Sequence, residues 1–325
     1  MSTIRVIAIA VCAIFAALIG LVPATAAEPA AKTLFGNMRS PAKLAPQAVG
    51  FYTKGCLAGG VELPITGPTW QAMRLSRNRN WGHPVLVDYI KKMSAQATKA
   101  GWPGLLVGDM NQPRGGPMLT GHRSHQMGLD ADIWLRPMPN RVLSTNEREN
   151  MSAISMLDKK NKKQVDAKVW TKAHYGLIKT AASYPEVQRI LVNPAIKKAL
   201  CDGAGLNKSW LRKIRPWHGH HYHMHVRLFC PRGSKLCKAQ AATKHDHGCG
   251  AELERWLNPP KPKKVAKKAK PKKKKKVVKK KKRSPLVLSQ LPAFCSDVLA
   301  KDNPNYKVIV RKVPVPRPRP SRRQS

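Results

Sequence analysis

From residue 83 to 102 apolar side chains recur at helical spacing, with Val85, Leu86, Tyr89, Ile90 and Met93 on one face, which predicts an amphipathic helix. Gly101 and Pro103 mark its end. Leu105, Leu106 and Val107 form an apolar run too short for a helix and read as a buried strand leading into Gly108 and Asp109. A loop rich in glycine and proline follows through Pro113, Gly115 and Gly116. The same spacing predicts a second helix from Lys172 to Ser183, with Leu177, Ile178, Ala181 and Ala182 on its apolar side and Pro185 beyond its end. Arg189 to Val192 reads as a strand, and Pro194 suits the first turn of another helix.

Two further segments alternate with period two, as strands with one buried face do. In the first, Leu129, Ala131 and Ile133 turn to the core while Asp130, Asp132 and Trp134 turn away. In the second, Met224, Val226 and Leu228 make the apolar face and leave His223, His225 and Arg227 together on the other. Helices interleaved with short strands predict an α+β fold, a small antiparallel sheet flanked by helices, in one domain over residues 50–258.

The ends of the 325-residue chain look dispensable to that domain. Arg5, the apolar run from Val6 to Val22 and the small residues Ala24 to Ala27 are the three parts of a secretory signal over residues 1–27. A membrane anchor is the competing reading, but the run is barely long enough to span a bilayer and small residues follow it. Cys12 has no small residue just before it, which argues against a lipid anchor. Residues 28–49, rich in Ala, Pro and Lys, read as a poorly ordered lead-in. The net charge of +43 is concentrated near the C-terminus, where Lys261 to Arg283 holds sixteen Lys or Arg and no acid. Such a run repels itself and buries little, so residues 259–290 are expected to be a disordered linker, and 291–325 a tail with Cys295 and a basic Pro/Arg-rich end.

Export also changes how the cysteines are read. Cys56, Cys201, Cys230, Cys237, Cys249 and Cys295 remain after the signal, an even number in a compartment that permits disulfides. None forms a C-x-x-C pair, the spacings fit no common Cys-zinc pattern, and spacing alone does not choose a pairing.

Seven of the eleven histidines fall in two windows, His122 and His125 in the first and His218, His220, His221, His223 and His225 in the second. His125 sits on the loop before the first alternating strand, with Gly128 letting the chain turn, so it can meet Asp132 at one ion. If both strands share a sheet with their apolar faces on one core, Asp132 and His225 project to the same side. Two imidazoles and a carboxylate then form a three-ligand zinc set with a position open for water. Either motif alone also suits a solvated histidine tract or a chance spacing, and a structural zinc is the other use of the full set.

His125-Gln126-Met127-Gly128-Leu129-Asp130-Ala131-Asp132 resembles the H-x6-D motif of the LAS metallopeptidases, and His223-Met224-His225 resembles their H-x-H. Gly82-His83-Pro84, Gly108-Asp109-Met110, Val192 to Lys197, Arg215-Pro216-Trp217 and Gly248 to Leu253 are similar to segments of the penicillin-insensitive murein endopeptidases. The resemblance implies a LAS-peptidase-like fold, zinc bound by His125, Asp132 and His225, and His223 as the base for the attacking water. It implies that His220 hydrogen-bonds the water or the oxyanion, and it places His122 at a further position associated with metal. It also implies disulfides Cys56–Cys295, Cys201–Cys249 and Cys230–Cys237, the last two stiffening the loops around the histidine strand. Asn161 and Gln164 stand where the family carries an Asp and a His, which weakens the case for an accessory metal.

The expected activity is periplasmic cleavage of cross-links between the peptide stems of peptidoglycan, of the D-alanyl to diaminopimelate type. With no activated serine motif, indifference to β-lactams follows. A D,D-carboxypeptidase on the same scaffold and a non-catalytic, zinc-containing wall-binding protein are the alternatives. The basic tail suits anionic cell-envelope surfaces, and export argues against nucleic acid as a partner.

Overall fold

A computed structural model describes residues 28–260 and 284–304. The signal expected over 1–27, the lysine run at 261–283 and the basic end at 305–325 lie outside the described residues. Among the described residues no helix is long and apolar enough to cross a membrane.

Helix α1 (Ala31–Gly36) precedes a hairpin of β1 (Gln47–Phe51) and β2 (Lys54–Ala58). Four short strands follow, β3 (Val61–Glu62), β4 (Thr66–Gly67), β5 (Trp70–Ala72) and β6 (Trp81–Gly82). Then come α2 (Pro84–Lys99), β7 (Leu105–Val107), β8 (Asp130–Trp134), α3 (Thr145–Asn150), α4 (Lys172–Ser183) and β9 (Val187–Val192). Helix α5 (Pro194–Asp202), β10 (Ile214–Pro216), β11 (His223–Leu228), α6 (Ala251–Leu257) and α7 (Phe294–Ala300) complete the order.

Seven strands form the main sheet in the order β10-β9-β11-β8-β7-β5-β4. Its centre, β9-β11-β8-β7, is antiparallel, as expected, but β10 runs parallel to β9 and β5 parallel to β7. The sheet is therefore mixed and larger than the small antiparallel sheet that alternation suggested. The cause is the helices themselves: α2 lies between β5 and β7 in the chain, and α5 between β9 and β10. A helical crossover returns the chain in its original direction, where a hairpin would reverse it.

Both crossover helices start with a proline at the first turn and a side-chain cap. The His83 ring accepts a hydrogen bond from the Val85 N–H at 3.3 Å, and the Asn193 carbonyl oxygen accepts one from the Ala195 N–H at 2.9 Å. Leu86, Tyr89, Ile90 and Met93 of α2 and Leu177, Ile178 and Ala181 of α4 pack into one core with Ala131, Ile133, Met224 and Val226 of the sheet. Burying those residues on one face leaves the alternate positions of β8 and β11 to the other, where the histidines lie.

The segment expected to be a poorly ordered lead-in carries α1 and contributes Ala31, Leu34 and Phe35 to a second core. Its partners are Leu291, Cys295, Val298 and Leu299, brought from the other end of the chain. Arg114 stitches them together, donating to the carbonyls of Val298 at 2.7 Å and Ser40 at 3.1 Å. Two or three apolar residues in a short helix make no readable periodicity, and their partners lie far away in the chain. Residues 284–290, placed by the sequence in the disordered linker, include a 3-10 turn at Leu288–Gln290. The disulfides are Cys56–Cys295, Cys201–Cys249 and Cys230–Cys237, the pairs the resemblance implies.

Candidate metal centre

Strands β8 and β11 pair with His225 directly opposite Asp132, which sets their side chains on one face at the closest cross-strand spacing. His225 Nδ1 lies 2.9 Å from Asp132 Oδ1. His125 arrives from the preceding loop with φ +62°, a left-handed conformation that costs a non-glycine residue roughly 1–2 kcal/mol. The strain is held by a hydrogen bond from the His125 N–H to Asp130 Oδ2 at 3.0 Å. Gly128 allows the loop to reach the strand: its φ is +79°, and a Cβ there would meet Leu57 Cδ1 at 2.7 Å and the His83 backbone nitrogen at 2.8 Å. His125 Nε2 then lies 3.1 Å from His225 Nδ1 and 3.4 Å from Asp132 Oδ1.

These three side chains are almost wholly buried, at 0%, 3% and 2% exposure for His125, Asp132 and His225. The outer ring atom His125 Nδ1 is buried without a hydrogen-bond partner and His225 Nε2 has only Asp130 Oδ1 behind it, at 3.4 Å, while the other nitrogen of each ring turns to the shared centre. A tetrahedral site with bonds of about 2.0–2.1 Å has donor-to-donor edges of about 3.3–3.4 Å. The observed separations of 2.9, 3.1 and 3.4 Å approach that, and two imidazoles with a carboxylate are the right donors. The residues present fit a small divalent ion.

His122 approaches from another side. Its Nε2 is 3.3 Å from Asp132 Oδ2, the oxygen the other imidazoles leave free, and 3.2 Å from Asp109 Oδ2. His122, His125 and Asp132 each offer one ligand atom, all within 4.8 Å of one another. Asp109 is itself held by Arg77 and Arg79 at 3.0 and 2.8 Å. Although burial opposes it, the His122 hydrogen bond and those guanidiniums keep its carboxyl well below the usual range.

His223 follows the same face of β11, its Nε2 3.6 Å from Asp132 Oδ1 and buried without a partner. Burial outweighs the pull of Asp132 and lowers its pKa, which leaves the ring neutral. The His220 ring is centred 4.9 Å from that of His223. Its Nδ1 is 3.0 Å from the His218 carbonyl oxygen. A carbonyl only accepts, so Nδ1 carries the proton, and burial, with His225 and His223 nearby, pushes the pKa down to about 4. His220 is therefore neutral near pH 7 and presents Nε2 as an acceptor, suited to a water proton and unable to donate to an oxyanion. Asn161 and Gln164 lie in an exposed turn, where Asn161 Oδ1 accepts the Lys163 N–H.

Sequence reasoning put Asp130 and Arg227 on the polar strand faces and gave them no task. In the structure Arg227 Nε and Nη2 donate to the two oxygens of Asp130 at 2.8 and 3.0 Å. Asp130 Oδ1 also lies 3.4 Å from His225 Nε2. A carboxylate behind a metal-facing imidazole orients the ring and strengthens it as a donor. Alternation already set both residues beside His225, and Asp130 falls inside the H-x6-D motif, so the signal was present.

Burial opposes protonation of His225, but Asp130 and Asp132 prevail and raise its pKa. A metal held by His225 would have to displace that proton. Metal affinity is expected to fall about tenfold for each pH unit below the raised pKa, beginning above the ordinary imidazole value of about 6.5. Chelator competition between pH 5.5 and 8.5 checks this, and a pH-independent affinity would exclude His225 from the ligand set.

Two clefts border the cluster and share His122. One, of about 300 Å³, is lined by Asp109, Asp132, Trp134, Tyr222 and His223 among others. The second, of about 700 Å³, runs from His225 and His220 past Arg189, Arg215 and Trp217.

A family model described as penicillin-insensitive murein endopeptidase matches residues 48–300. A penicillin-insensitive murein endopeptidase from Haemophilus influenzae is 48% identical over 214 residues, covering 66% of this chain and 74% of that protein. Proteins of the same description are 42% identical in Klebsiella pneumoniae, over 71% of this chain and 84% of that one, and in Yersinia enterocolitica, over 76% and 87%.

Proposed function

The chain belongs to the penicillin-insensitive murein endopeptidase family, and from that premise we propose that it is a zinc-dependent hydrolase of the peptide cross-links of peptidoglycan. The bond cut is of the D-alanyl to diaminopimelate type, and the fold is that of the LAS peptidases. Export to the periplasm through residues 1–27 suits both the substrate and the disulfides. The peptidase domain is assigned to residues 50–258, with 28–49 leading into it and the basic 259–325 available to anionic envelope surfaces.

The observation that favours an endopeptidase is the pair of clefts meeting at the cluster. A cross-link has chain on both sides of the scissile bond, and a carboxypeptidase needs room on one side only. His125, Asp132 and His225 would hold the zinc, with His122 as a further ligand on the Oδ2 side of Asp132. A bound zinc acidifies water and polarises a carbonyl.

The protein's own groups supply the rest. His223 Nε2, buried and unpartnered beside Asp132, takes the proton of the attacking water and delivers it to the leaving amine. His220 accepts a hydrogen bond that orients that water. Asp130 holds His225 and the His125 backbone. Attack by water leaves no acyl-enzyme, hence the indifference to β-lactams.

Purified protein with zinc should release monomeric muropeptides from cross-linked wall, stop in excess chelator and be unaffected by penicillin. Release of free D-alanine without monomers would favour a D,D-carboxypeptidase. Wall binding without turnover would leave a structural zinc protein.

A further inference from the structure

Beyond β11, the sheet face that bears the cluster continues with cations. Arg227 on β11 stands opposite Arg189 on β9, and Arg215 follows on β10, in register with Leu191 of β9. Like charges across a strand pair are destabilising, so compensation is expected for each. Arg227 has Asp130 at 2.8 Å, and Arg215 has Glu252 at 2.7 Å. Arg189 has no carboxylate partner among the described residues, and Arg227 and Arg215 act on it as like charges. Its Nη2 donates to the Ala241 carbonyl at 2.6 Å, while its Nε is shut off from solvent without a partner.

All three guanidiniums line the larger cleft. Arg123 and Lys244 add positive charge there, and Glu252, already committed to Arg215, is the one carboxylate among its lining residues. Keeping an uncompensated guanidinium on the wall of a cleft that starts at the candidate metal centre makes sense if the ligand brings the counter-charge. A carboxylate suits it, because a guanidinium takes both carboxylate oxygens in parallel N–H···O bonds. Position narrows the choice. Leu191 lies opposite His225, so Arg189 is its diagonal neighbour, about 7–8 Å away between Cα atoms. An extended peptide covers that in about two residues.

We propose that Arg189 is the receptor for a carboxylate of the peptide stem, making the larger cleft selective for stems with a free carboxylate within about two residues of the scissile bond. The proposal rests on the murein-peptide reading of the site and names the side of the substrate that the cleft selects. Arg215 and Arg227, fixed by their acids, shape the wall and keep Arg189 from being neutralised within the protein.

The test is calorimetric binding to zinc-loaded protein of a murein stem tetrapeptide with free carboxylates and of the same peptide with its carboxylates amidated. The wild type is expected to bind the acid about 10- to 100-fold more tightly than the amide. Arg189→Gln should weaken the acid to the level of the amide and leave the amide unchanged, and Arg189→Lys should recover part of the loss. A Tm for Arg189→Gln at or above that of the wild type would show that only binding was lost, as removal of a repelled cation implies. Equal binding of both peptides by the wild type overturns the proposal without any variant, and so does an equal loss on both in Arg189→Gln. Because binding is read without turnover, selective binding by a protein that releases no muropeptide refutes the hydrolase reading and still supports the assignment of Arg189.

Discussion

His225→Ala should lose zinc and lose muropeptide release by on the order of a thousandfold, the several kcal/mol of transition-state stabilisation that a Lewis acid supplies. His225 is the densest junction in the cluster. Its Nδ1 lies 2.9 Å from Asp132 Oδ1 and 3.1 Å from His125 Nε2, and its Nε2 faces Asp130. Truncation leaves Asp132 and His125 with only the partly exposed His122 beside them, and without the ring that bridges the two the ion is held too weakly to keep. His223→Ala makes the informative contrast, because it removes the neutral imidazole beside the site and not a ligand. It should keep its zinc and lose about 10²- to 10⁴-fold in rate. Zinc content by elemental analysis with product chromatography separates the two. Full zinc and full activity in His225→Ala would sink the metal assignment, and full activity in His223→Ala would sink the base.

Arg227→Met is expected to destabilise the fold by about 3–5 kcal/mol, since it strips the partner from a buried carboxylate. Asp130 is 1% exposed, and Arg227 supplies two of its hydrogen bonds. Burial alone would raise the Asp130 pKa. Arg227, aided by His225, reverses this and holds the carboxyl well below the usual range. The pair therefore contributes stability that is present above the unfolded carboxylate pKa of about 3.9 and is lost as pH falls toward the depressed folded value.

In Arg227→Met the sign inverts. Asp130 then prefers its proton in the folded state, so the deficit should be full near neutrality and shrink in acid. Urea unfolding at pH 7 and pH 4, with chelator present in both, reads this directly. The double variant Asp130→Asn with Arg227→Met should recover much of the loss, because it removes the orphaned charge. Equal stability of Arg227→Met and the wild type would show that the ion pair contributes nothing net. Part of the loss belongs to the Tyr52 ring, over which the guanidinium sits at 4.0 Å from the centroid.

Period-two alternation in 129–134 and 223–229 and helical spacing in 83–102 and 172–183 were enough to place the main strands and helices, because each pattern compares residues a few positions apart. The same alternation put Asp132 with Asp130, and His225 with His223 and Arg227, on faces turned from the core. Proline before an apolar stretch likewise marked the start of α5. All of these are local, and their physics is the burial of one side of one element.

The centre itself needed the tertiary structure. Asp132 and His225 are 93 residues apart, and nothing within either strand says that they meet in register, since that depends on how two helices cover the shared core. The left-handed backbone at His125, the second core joining α1 to α7, and the parallel pairings imposed by α2 and α5 are decisions of the same kind. The residue types and their faces were thus determined by the sequence alone. Which of them face one another, and that Arg189 has no carboxylate partner among the described residues while Arg215 and Arg227 do, was decided by packing between segments far apart in the chain, because strand register and buried charge pairing are set only when the whole core closes.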